Sequence, residues 1–160
     1  YVAELVEGFS EEELPSRQIF ELLVDVLSQL ESDPTSSWLP RYFEVSLLRH
    51  SGFGPELYQC VDCYSTLNPG NHFYSCASGG LLCPECLTKS GDMVFQLSLN
   101  SIKILRYLQV NTWSQTSKLT FPSTLLAEIE KVLVAYVTYV LGRNIKSLDF
   151  MNSMSSVVPR

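Results

Sequence analysis

The sequence predicts a mainly α-helical domain, a helical bundle that carries one small cysteine-rich insertion. Two observations predict this fold class. Several segments repeat apolar residues at the spacing of an amphipathic helix, and one stretch, residues 60–86, holds two Cys-x-x-Cys pairs. A third observation sets the size, since 160 residues with 46% hydrophobic and 18% charged side chains suffice for one domain with a core. We expect a single domain over residues 1–160, with four or five helices and a cysteine module at about residues 57–92.

The front of the chain predicts an acidic loop followed by two helices. Residues 8–15 (GFSEEELP) are acidic and end at a proline, which indicates an exposed loop. Ser16 is a typical N-cap for a helix that runs to about Leu30. Asp33 and Pro34 predict the start of the next helix, which should stop near residues 51–52. Because Pro40 lies inside this range, the regular part of that helix is alternatively expected to begin only there.

After the cysteines, the pattern predicts a short strand and one helix. Residues 93–95 (MVF) predict the strand, and Ser98 is a suitable cap for a helix from about Leu99 to Val110. Residues 111–121 are polar and predict a connecting loop.

The last predicted helix is long. Pro122 opens it, and Gly142 should end it, because proline suits a first turn and glycine suits a C-terminal cap. The tail, residues 153–160, shows no pattern and is expected to be loose.

Two cysteine pairs, Cys60/Cys63 and Cys83/Cys86, are separated by 19 residues. Each Cys-x-x-Cys turn places two sulfurs on one side of a tight loop. Two such knuckles face to face supply four thiolates in a tetrahedron, which is the preferred environment of a structural zinc ion. The sequence therefore predicts one structural Zn²⁺ held by these four cysteines.

Three other interpretations of the cysteines stay open. Disulfides are possible, although the cysteine count of five is odd and no secretory signal precedes the cysteines. A redox dithiol or plain buried thiols are the other two. Cys76 and His72 lie between the pairs and are possible substitute ligands, although neither belongs to a knuckle.

Charge is unevenly distributed around a net value of −6. Residues 1–50 hold ten acids and three bases, whereas residues 87–160 hold four acids and eight bases. A basic back half can approach phosphate or an acidic peptide, although solvated surface charge explains the same numbers. No apolar run has the length that spans a bilayer, so we expect a protein of the reducing cytoplasm with no membrane partner.

The sequence contains no recognisable catalytic motif. Its two histidines, His50 and His72, do not stand in a metalloprotease motif, and there is no glycine-rich phosphate loop. The adjacent acids Glu11 to Glu13 lie in the predicted solvated loop, where nothing raises a carboxyl pKa for acid–base catalysis. We expect a protein without enzymatic activity.

Four stretches in order resemble one family: YVAELVEGF at the start, RYFEVSLLRHSGFGPEL at 41–57, CVDC…FYSCASGGLLCPEC, and YVLGRNIKSLDFM at 139–151. Together they are similar to the C-terminal part of the bacterial recombination mediator RecO. The resemblance implies an N-terminal OB barrel followed by a helical domain with the zinc segment, of which only the second part is in this chain. Two positions depart from the family pattern, namely Cys76, and Asp149 where relatives often keep a base.

The resemblance also implies a function without chemical turnover. Such proteins bind single- and double-stranded DNA, anneal complementary strands, and help load recombinase onto DNA coated with single-strand-binding protein. The implied partners are RecR and the acidic, phenylalanine-terminated tail of single-strand-binding protein. The implied zinc ligands are Cys60, Cys63, Cys83 and Cys86.

Six basic residues are candidates for these contacts. Backbone phosphates require Lys or Arg, and an acidic tail requires an apolar pocket rimmed by Arg. The DNA candidates are Lys103, Arg106, Arg143 and Lys146, and the candidates for the peptide rim are Arg41 and Arg49, beside Phe43 and Leu48. The alternative function is a zinc-dependent protein-interaction adaptor with no direct role at nucleic acid.

Overall fold

The computed structural model describes residues 1–10, 16–87 and 93–157. Within these ranges the fold is mainly helical, as the sequence predicted, but it has eight helices rather than four or five and a three-stranded sheet of which only one strand was predicted. The helices are α1 (Val2–Phe9), α2 (Arg17–Ser32), α3 (Leu39–His50), α4 (Pro84–Leu87), α5 (Leu99–Val110), α6 (Trp113–Thr116), α7 (Ser123–Leu141) and α8 (Lys146–Val157), and the strands are β1 (His72–Ser75), β2 (Gly80–Leu82) and β3 (Val94–Leu97).

Helix α3 is the centre of the helical body, which consists of α1–α3 and α5–α8. It packs against α1, α2, α5, α6 and α7. Eight of its 12 residues are buried, including Phe43, Val45 and Leu47. A helix surrounded on most sides has no wide polar face, which explains why α3 lacks the one-sided apolar pattern of a surface helix.

The strands form one antiparallel sheet in the order β2-β1-β3. In the register, Tyr74 pairs with Leu81 on one side and with Phe95 on the other. The sheet belongs to the cysteine module, a name that we use for residues 56–87 together with β3. Five residues at the end of the predicted module, 88–92, lie outside the described ranges.

Four predicted helix ends are confirmed. The Ser16 side chain accepts a hydrogen bond from the backbone N–H of Ile19 at 3.3 Å, and the Ser98 side chain caps α5 in the same way. Helix α7 follows Pro122 and ends at Gly142, which adopts the left-handed conformation with φ of 62°. The predicted strand also forms, one residue later than expected.

Three local predictions are wrong. Asp33 does not start α3; it closes α2 instead, since its backbone N–H bonds to the carbonyl of Gln29. Regular helix begins only at Leu39, beside Pro40, in agreement with the alternative that the proline suggested. The polar segment 111–121 contains a one-turn helix, α6. A capping box between Thr112 and Gln115 caps the N-terminus of this helix.

The third wrong prediction concerns the tail, of which residues 153–157 are helical and 158–160 are not described. Helix α8 starts where the carboxylate of Glu4 accepts hydrogen bonds from the backbone N–H groups of Lys146 and Ser147, at 2.9 and 2.8 Å. A carboxylate at this position caps the helix and matches its positive end. The cap comes from 142 residues away in the chain, so the local pattern could not show it.

The predicted acidic loop at 8–15 is described only in part. Residues 8 and 9 belong to α1, Ser10 is extended, and residues 11–15 lie outside the described ranges. Among the helices that the structure describes, none is both long and apolar enough to cross a membrane.

Candidate metal centre and basic residues

The first cysteine pair lies in a tight knuckle that backbone hydrogen bonds close. The N–H of Tyr64 bonds to the carbonyl of Cys60 at 2.8 Å, and the N–H of Cys60 bonds to the carbonyl of Ser65. Tyr64 follows Cys63 with φ of 59°, a conformation that non-glycine residues rarely adopt. The turn of the knuckle therefore imposes a small backbone strain on Tyr64.

The second pair lies at the end of β2 and in the short helix α4. The N–H groups of Cys86 and Leu87 both bond to the carbonyl of Cys83 at 3.1 Å. Gly80, in β2, lies against the first knuckle, and a Cβ atom there would meet the Glu56 carbonyl oxygen at 2.6 Å and a Val61 methyl at 2.5 Å. Only glycine lets the two knuckles approach this closely.

The four cysteine sulfurs lie together, with every Sγ atom within 4.8 Å of the others. The sulfurs of Cys63 and Cys83, one from each knuckle, are 3.9 Å apart. Four sulfurs around zinc at about 2.3 Å form a tetrahedron with edges of about 3.8 Å, so the observed spacing fits a zinc–thiolate site. The four cysteines can hold a metal ion, and the donor set of four soft sulfurs suits zinc.

Hydrogen bonding favours the thiolate form in the first knuckle. Side-chain and backbone hydrogen bonds from Ser65 lower the pKa of Cys63 to about 6. Burial raises the pKa of Cys60, but backbone N–H groups of Cys63, Cys83 and Asp62 outweigh it, so the net pKa is lowered. In contrast, the neighbouring carboxyl of Asp62, together with burial, raises the pKa of Cys86. A bound cation would remove this disadvantage, because metal coordination deprotonates a thiol.

The cysteine module is fixed to the helical body by several long-range contacts. Arg106 of α5 donates from Nε to the carbonyl of Leu57 at 3.0 Å, and its guanidinium stacks over the ring of Tyr58 at 4.5 Å. The ring of Tyr136 of α7 packs edge-on against Tyr74 of β1, with ring centroids 5.3 Å apart. The sulfur cluster therefore belongs to a module that contacts α5 through the backbone of Leu57 and α7 through the ring of Tyr74.

The two possible substitute ligands lie elsewhere. His72 is buried, and its Nε2 lies 2.8 Å from the carbonyl oxygen of Asn68. Cys76 is also buried and lines an apolar cavity of about 400 Å³ with Phe95 and Tyr139. Among the described residues, the group that can hold a metal ion consists of the four knuckle cysteines and includes neither His72 nor Cys76.

The two arginines predicted to rim a peptide pocket are in very different environments. The side chain of Arg41 is only 5% exposed and forms ion pairs with Glu44 at 2.8 Å and Glu130 at 3.4 Å. Tyr1 also donates a hydrogen bond to Glu44. Arg49 is exposed at the end of α3, where it donates to the carbonyl of Gln109 at 2.7 Å. The apolar residues expected beside them, Phe43 and Leu48, are fully buried in the core.

Of the four candidate DNA contacts, three side chains are exposed and the fourth, Arg106, already contacts other residues of the chain. Lys103 is exposed on α5, whereas Arg106 on the same helix is partly buried by its contacts with Leu57 and Tyr58. Arg143 and Lys146 are exposed at the turn between α7 and α8.

Sequence reasoning missed a cavity near this turn, which has both polar and apolar lining residues. Its volume is about 460 Å³, and it lies between α1, the start of α2, the end of α3 and the end of α7. The cavity is lined by Gly8, Phe9, Ser16, Ile19, His50, Ser51, Phe53, Val140 and Leu141. The guanidinium of Arg143 lies 3.2 Å from the Cβ position of Gly8, and Arg49 lies 3.4 Å from Nε2 of His50. Two arginines therefore flank the cavity, which forms where four segments of the chain meet, an arrangement that no local pattern could show.

The comparisons with known proteins agree with one another. A family model described as Recombination protein O C terminal matches residues 1–149. The DNA repair protein RecO of Dehalococcoides mccartyi is 35% identical over 156 residues, which cover 97% of this chain and 60% of the relative. The proteins of the same name from Roseiflexus sp. and Syntrophus aciditrophicus are each 32% identical and cover 99% and 96% of this chain. The chain spans 60% or less of the length of these relatives, 56% for the Roseiflexus protein.

Proposed function

The chain belongs to the Recombination protein O C-terminal family, and we propose that it is the helical part of a DNA repair and recombination mediator. The observation that carries this proposal is the match of the family model to residues 1–149. Because the chain spans about 60% of its relatives' length, the proposed activities are those of the full-length protein. They are binding of single- and double-stranded DNA, strand annealing and recombinase loading in the bacterial cytoplasm at the nucleoid, without catalytic turnover.

In this proposal the metal is a structural Zn²⁺ held by Cys60, Cys63, Cys83 and Cys86. Four protein ligands fill a tetrahedral site and leave no position for water or substrate. The ion would link the two knuckles and hold the cysteine module in the shape that α5 and α7 bind. This role is supported by the spacing of the sulfurs, all within 4.8 Å of one another.

The proposed DNA contacts of this part are Lys103, Arg143 and Lys146, which are exposed and suited to backbone phosphates. Arg106 is a weaker candidate, because its guanidinium already binds the carbonyl of Leu57. With a net charge of −6, this part is expected to contribute to DNA affinity rather than to supply most of it.

The DNA proposal is tested with the full-length protein in a strand-annealing assay and a binding titration at several salt concentrations. The variant Arg143→Glu/Lys146→Glu should weaken DNA binding about 5- to 30-fold and lower the slope of log affinity against log salt. The matched control is Arg17→Glu, which reverses an exposed arginine on α2, far along the chain. Equal affinities and slopes in both variants would contradict these contacts.

We propose that the cavity between α1, α3 and α7 binds the acidic, phenylalanine-terminated tail of single-strand-binding protein. Phe9 and Phe53 pack edge-on against each other at 6.2 Å and offer an aromatic wall to a terminal phenylalanine. Arg49 and Arg143 flank the cavity and suit peptide carboxylates. Arg41 is no longer a good candidate, since Glu44 and Glu130 already neutralise its charge.

Titration of a labelled tail peptide against the full-length protein tests this site. Arg49→Ala and Arg143→Ala should each weaken binding about 5- to 20-fold, and Arg17→Ala should leave it unchanged. Unchanged affinity in both cavity variants would remove the assignment. RecR is the second proposed protein partner, and co-purification of the two full-length proteins tests that contact.

A further inference from the structure

Helix α2 carries two apolar rows, and only one of them is covered. Its inner row, Ile19, Leu22 and Val26, is buried against the rest of the helical body. Its outer row consists of Phe20, Val24 and Leu27, which are 65%, 49% and 50% exposed. The outer residues are spaced i, i+4 and i+7 and therefore share one face of the helix. We call Phe20, Val24 and Leu27 the outer stripe.

The stability of α2 does not explain the outer stripe. Phe and Val are poorer helix formers than the charged and small residues usual on solvent-facing positions. A surface helix normally needs one apolar stripe about 100° wide, and α2 already has that on its inner side. Contiguous exposed apolar residues on a folded protein mark an interaction surface.

The outer stripe continues into a cavity of about 560 Å³. Leu27, the last residue of the stripe, lines this cavity together with Leu30 of the same helix. Its apolar wall also includes Tyr1, Leu126 and Met151, which come from three other helical segments. A row of exposed apolar residues that ends in an open apolar groove is the geometry that receives one face of a docked helix.

The charges around the outer stripe are acidic. Glu21, Asp25 and Glu31 are exposed on α2, and the one base of the helix, Arg17, is already paired with Glu21 at 2.7 Å. Glu130, half exposed, lines the cavity at the end of the stripe, where it pairs with the buried Arg41 at 3.4 Å, so the unpaired acidic charge comes from α2. Such a surface repels phosphate backbones and acidic peptides and attracts basic side chains.

We propose that the outer stripe and its cavity form a docking surface for a basic amphipathic helix of a protein partner. Leucine-like side chains of that helix would pack on Phe20, Val24 and Leu27 and enter the cavity. Its lysines or arginines would face Asp25 and Glu31. This surface is separate from the proposed DNA contacts and from the proposed tail site, and it prefers ligands of the opposite charge.

The test uses the full-length protein and a labelled 14-residue probe peptide with the sequence LKKLLKL repeated twice, measured by fluorescence anisotropy. A peptide of the same composition in scrambled order and a peptide with glutamate in place of lysine are the ligand controls. The amphipathic basic peptide should bind at least 10-fold more tightly than either control, because both apolar periodicity and positive charge are needed.

Two variants locate the binding site. Phe20→Ser/Leu27→Ser should weaken binding of the basic peptide at least 10-fold, and Asp25→Lys/Glu31→Lys should weaken it about 5-fold and reduce its salt dependence. Val110→Ser, which removes an apolar residue that is 71% exposed on α5, is the matched control and should change nothing.

Three results would overturn the proposal: no preference for the basic peptide, equal affinity in all variants, or binding by the isolated chain but not by the full-length protein. The last would mean that the rest of the protein covers the stripe. DNA annealing should be unchanged in both α2 variants, so failure here is distinguishable from failure of the proposed function.

Discussion

The helical body and the cysteine module are stabilised by different means. In the helical body, apolar side chains of α3, α5 and α7 fill a continuous core, and the hydrophobic effect supplies most of the driving force. The cysteine module, in contrast, consists of tight turns, three short strands and a one-turn helix. Its two knuckles bring four sulfurs within 4.8 Å of one another, and a bound cation would neutralise the thiolates and link the two knuckles.

Because of this difference, we expect the stability of the helical body and that of the cysteine module to respond to different substitutions. The body should tolerate loss of metal and respond to disruption of its core, whereas the module should respond mainly to loss of its sulfur ligands. The module contributes buried residues of its own to the core, among them Leu57, Tyr74 and Leu97. Loss of order in the module should therefore weaken the body without unfolding it.

The largest expected effect follows from removal of the metal ligands. Cys60→Ser/Cys86→Ser removes the two buried sulfurs of the four-cysteine cluster. The loss should be large, because structural zinc sites have apparent binding energies of about 10–16 kcal/mol. Backbone amides of the module should lose protection from hydrogen exchange, while those of α3 and α7 stay protected. Cys76→Ser, which changes a cysteine outside the cluster, is the control and should keep the metal. Loss of protection throughout α3 and α7 would contradict the separation of the two regions.

The next effect concerns the buried ion pair of the helical body. Arg41→Met leaves the carboxyl group of Glu44 buried without its partner, which should cost about 3–5 kcal/mol in the free energy of unfolding at pH 8. Burial raises the pKa of Glu44 to about 7, above its value of 4.5 in the unfolded chain. Protonated Glu44 therefore stabilises the folded state fully below pH 4.5. This contribution to the free energy of unfolding is lost as the pH rises from 4.5 to about 7.

For the same reason the cost of Arg41→Met should be smaller at pH 5.5, where Glu44 can take up a proton. Urea denaturation at both pH values measures the difference. The control is Arg17→Met, which breaks an exposed pair and should cost less than about 1 kcal/mol. Equal costs of the two substitutions would show that the Arg41–Glu44 pair does not stabilise the body.

A smaller effect is expected where the module packs most closely. Gly80→Ala would place a methyl group 2.6 Å from the carbonyl oxygen of Glu56, so the knuckles must shift at a cost of about 1–3 kcal/mol. Gly70→Ala is the control, because no atom lies within 4 Å of its Cβ position. Competition with a colorimetric chelator measures zinc affinity, which should fall for Gly80→Ala only. The same affinity in both variants would mean that the approach of the knuckles is not tight.

The smallest effect is expected at the junction of α1 and α8. Hydrogen bonds from the side chain and backbone of Ser147 lower the pKa of Glu4 to about 2. The stabilisation by ionised Glu4 is therefore complete above the unfolded pKa of 4.5 and is lost as the pH falls towards 2. In Glu4→Gln, amides of α8 should exchange faster near neutral pH and show no further loss on acidification. If α8 exchanges at the same rate in both proteins at pH 7, Glu4 does not cap it.

The sequence predicted those features that depend on neighbouring residues. Ser16, Ser98 and Gly142 end their helices as expected, because a cap acts within one turn. Within each cysteine pair the two sulfurs lie close together, because each knuckle is a local turn with a known shape.

Features that depend on distant segments were not predicted. Helix α8 needs the carboxylate of Glu4, and the burial of Arg41 needs Glu130 of α7 in addition to Glu44 of its own helix. The cavity flanked by Arg49 and Arg143 forms only when the ends of α3 and α7 meet α1. These arrangements follow from tertiary packing, which a single sequence does not display.

The central claim is that four thiolates of the cysteine module hold one zinc ion. Zinc K-edge X-ray absorption on the purified, never-chelated full-length protein tests it most directly. The account predicts one zinc per chain with a first shell of four sulfurs at about 2.3 Å. Absence of zinc, or a first shell that contains nitrogen or oxygen in place of any sulfur, would contradict it.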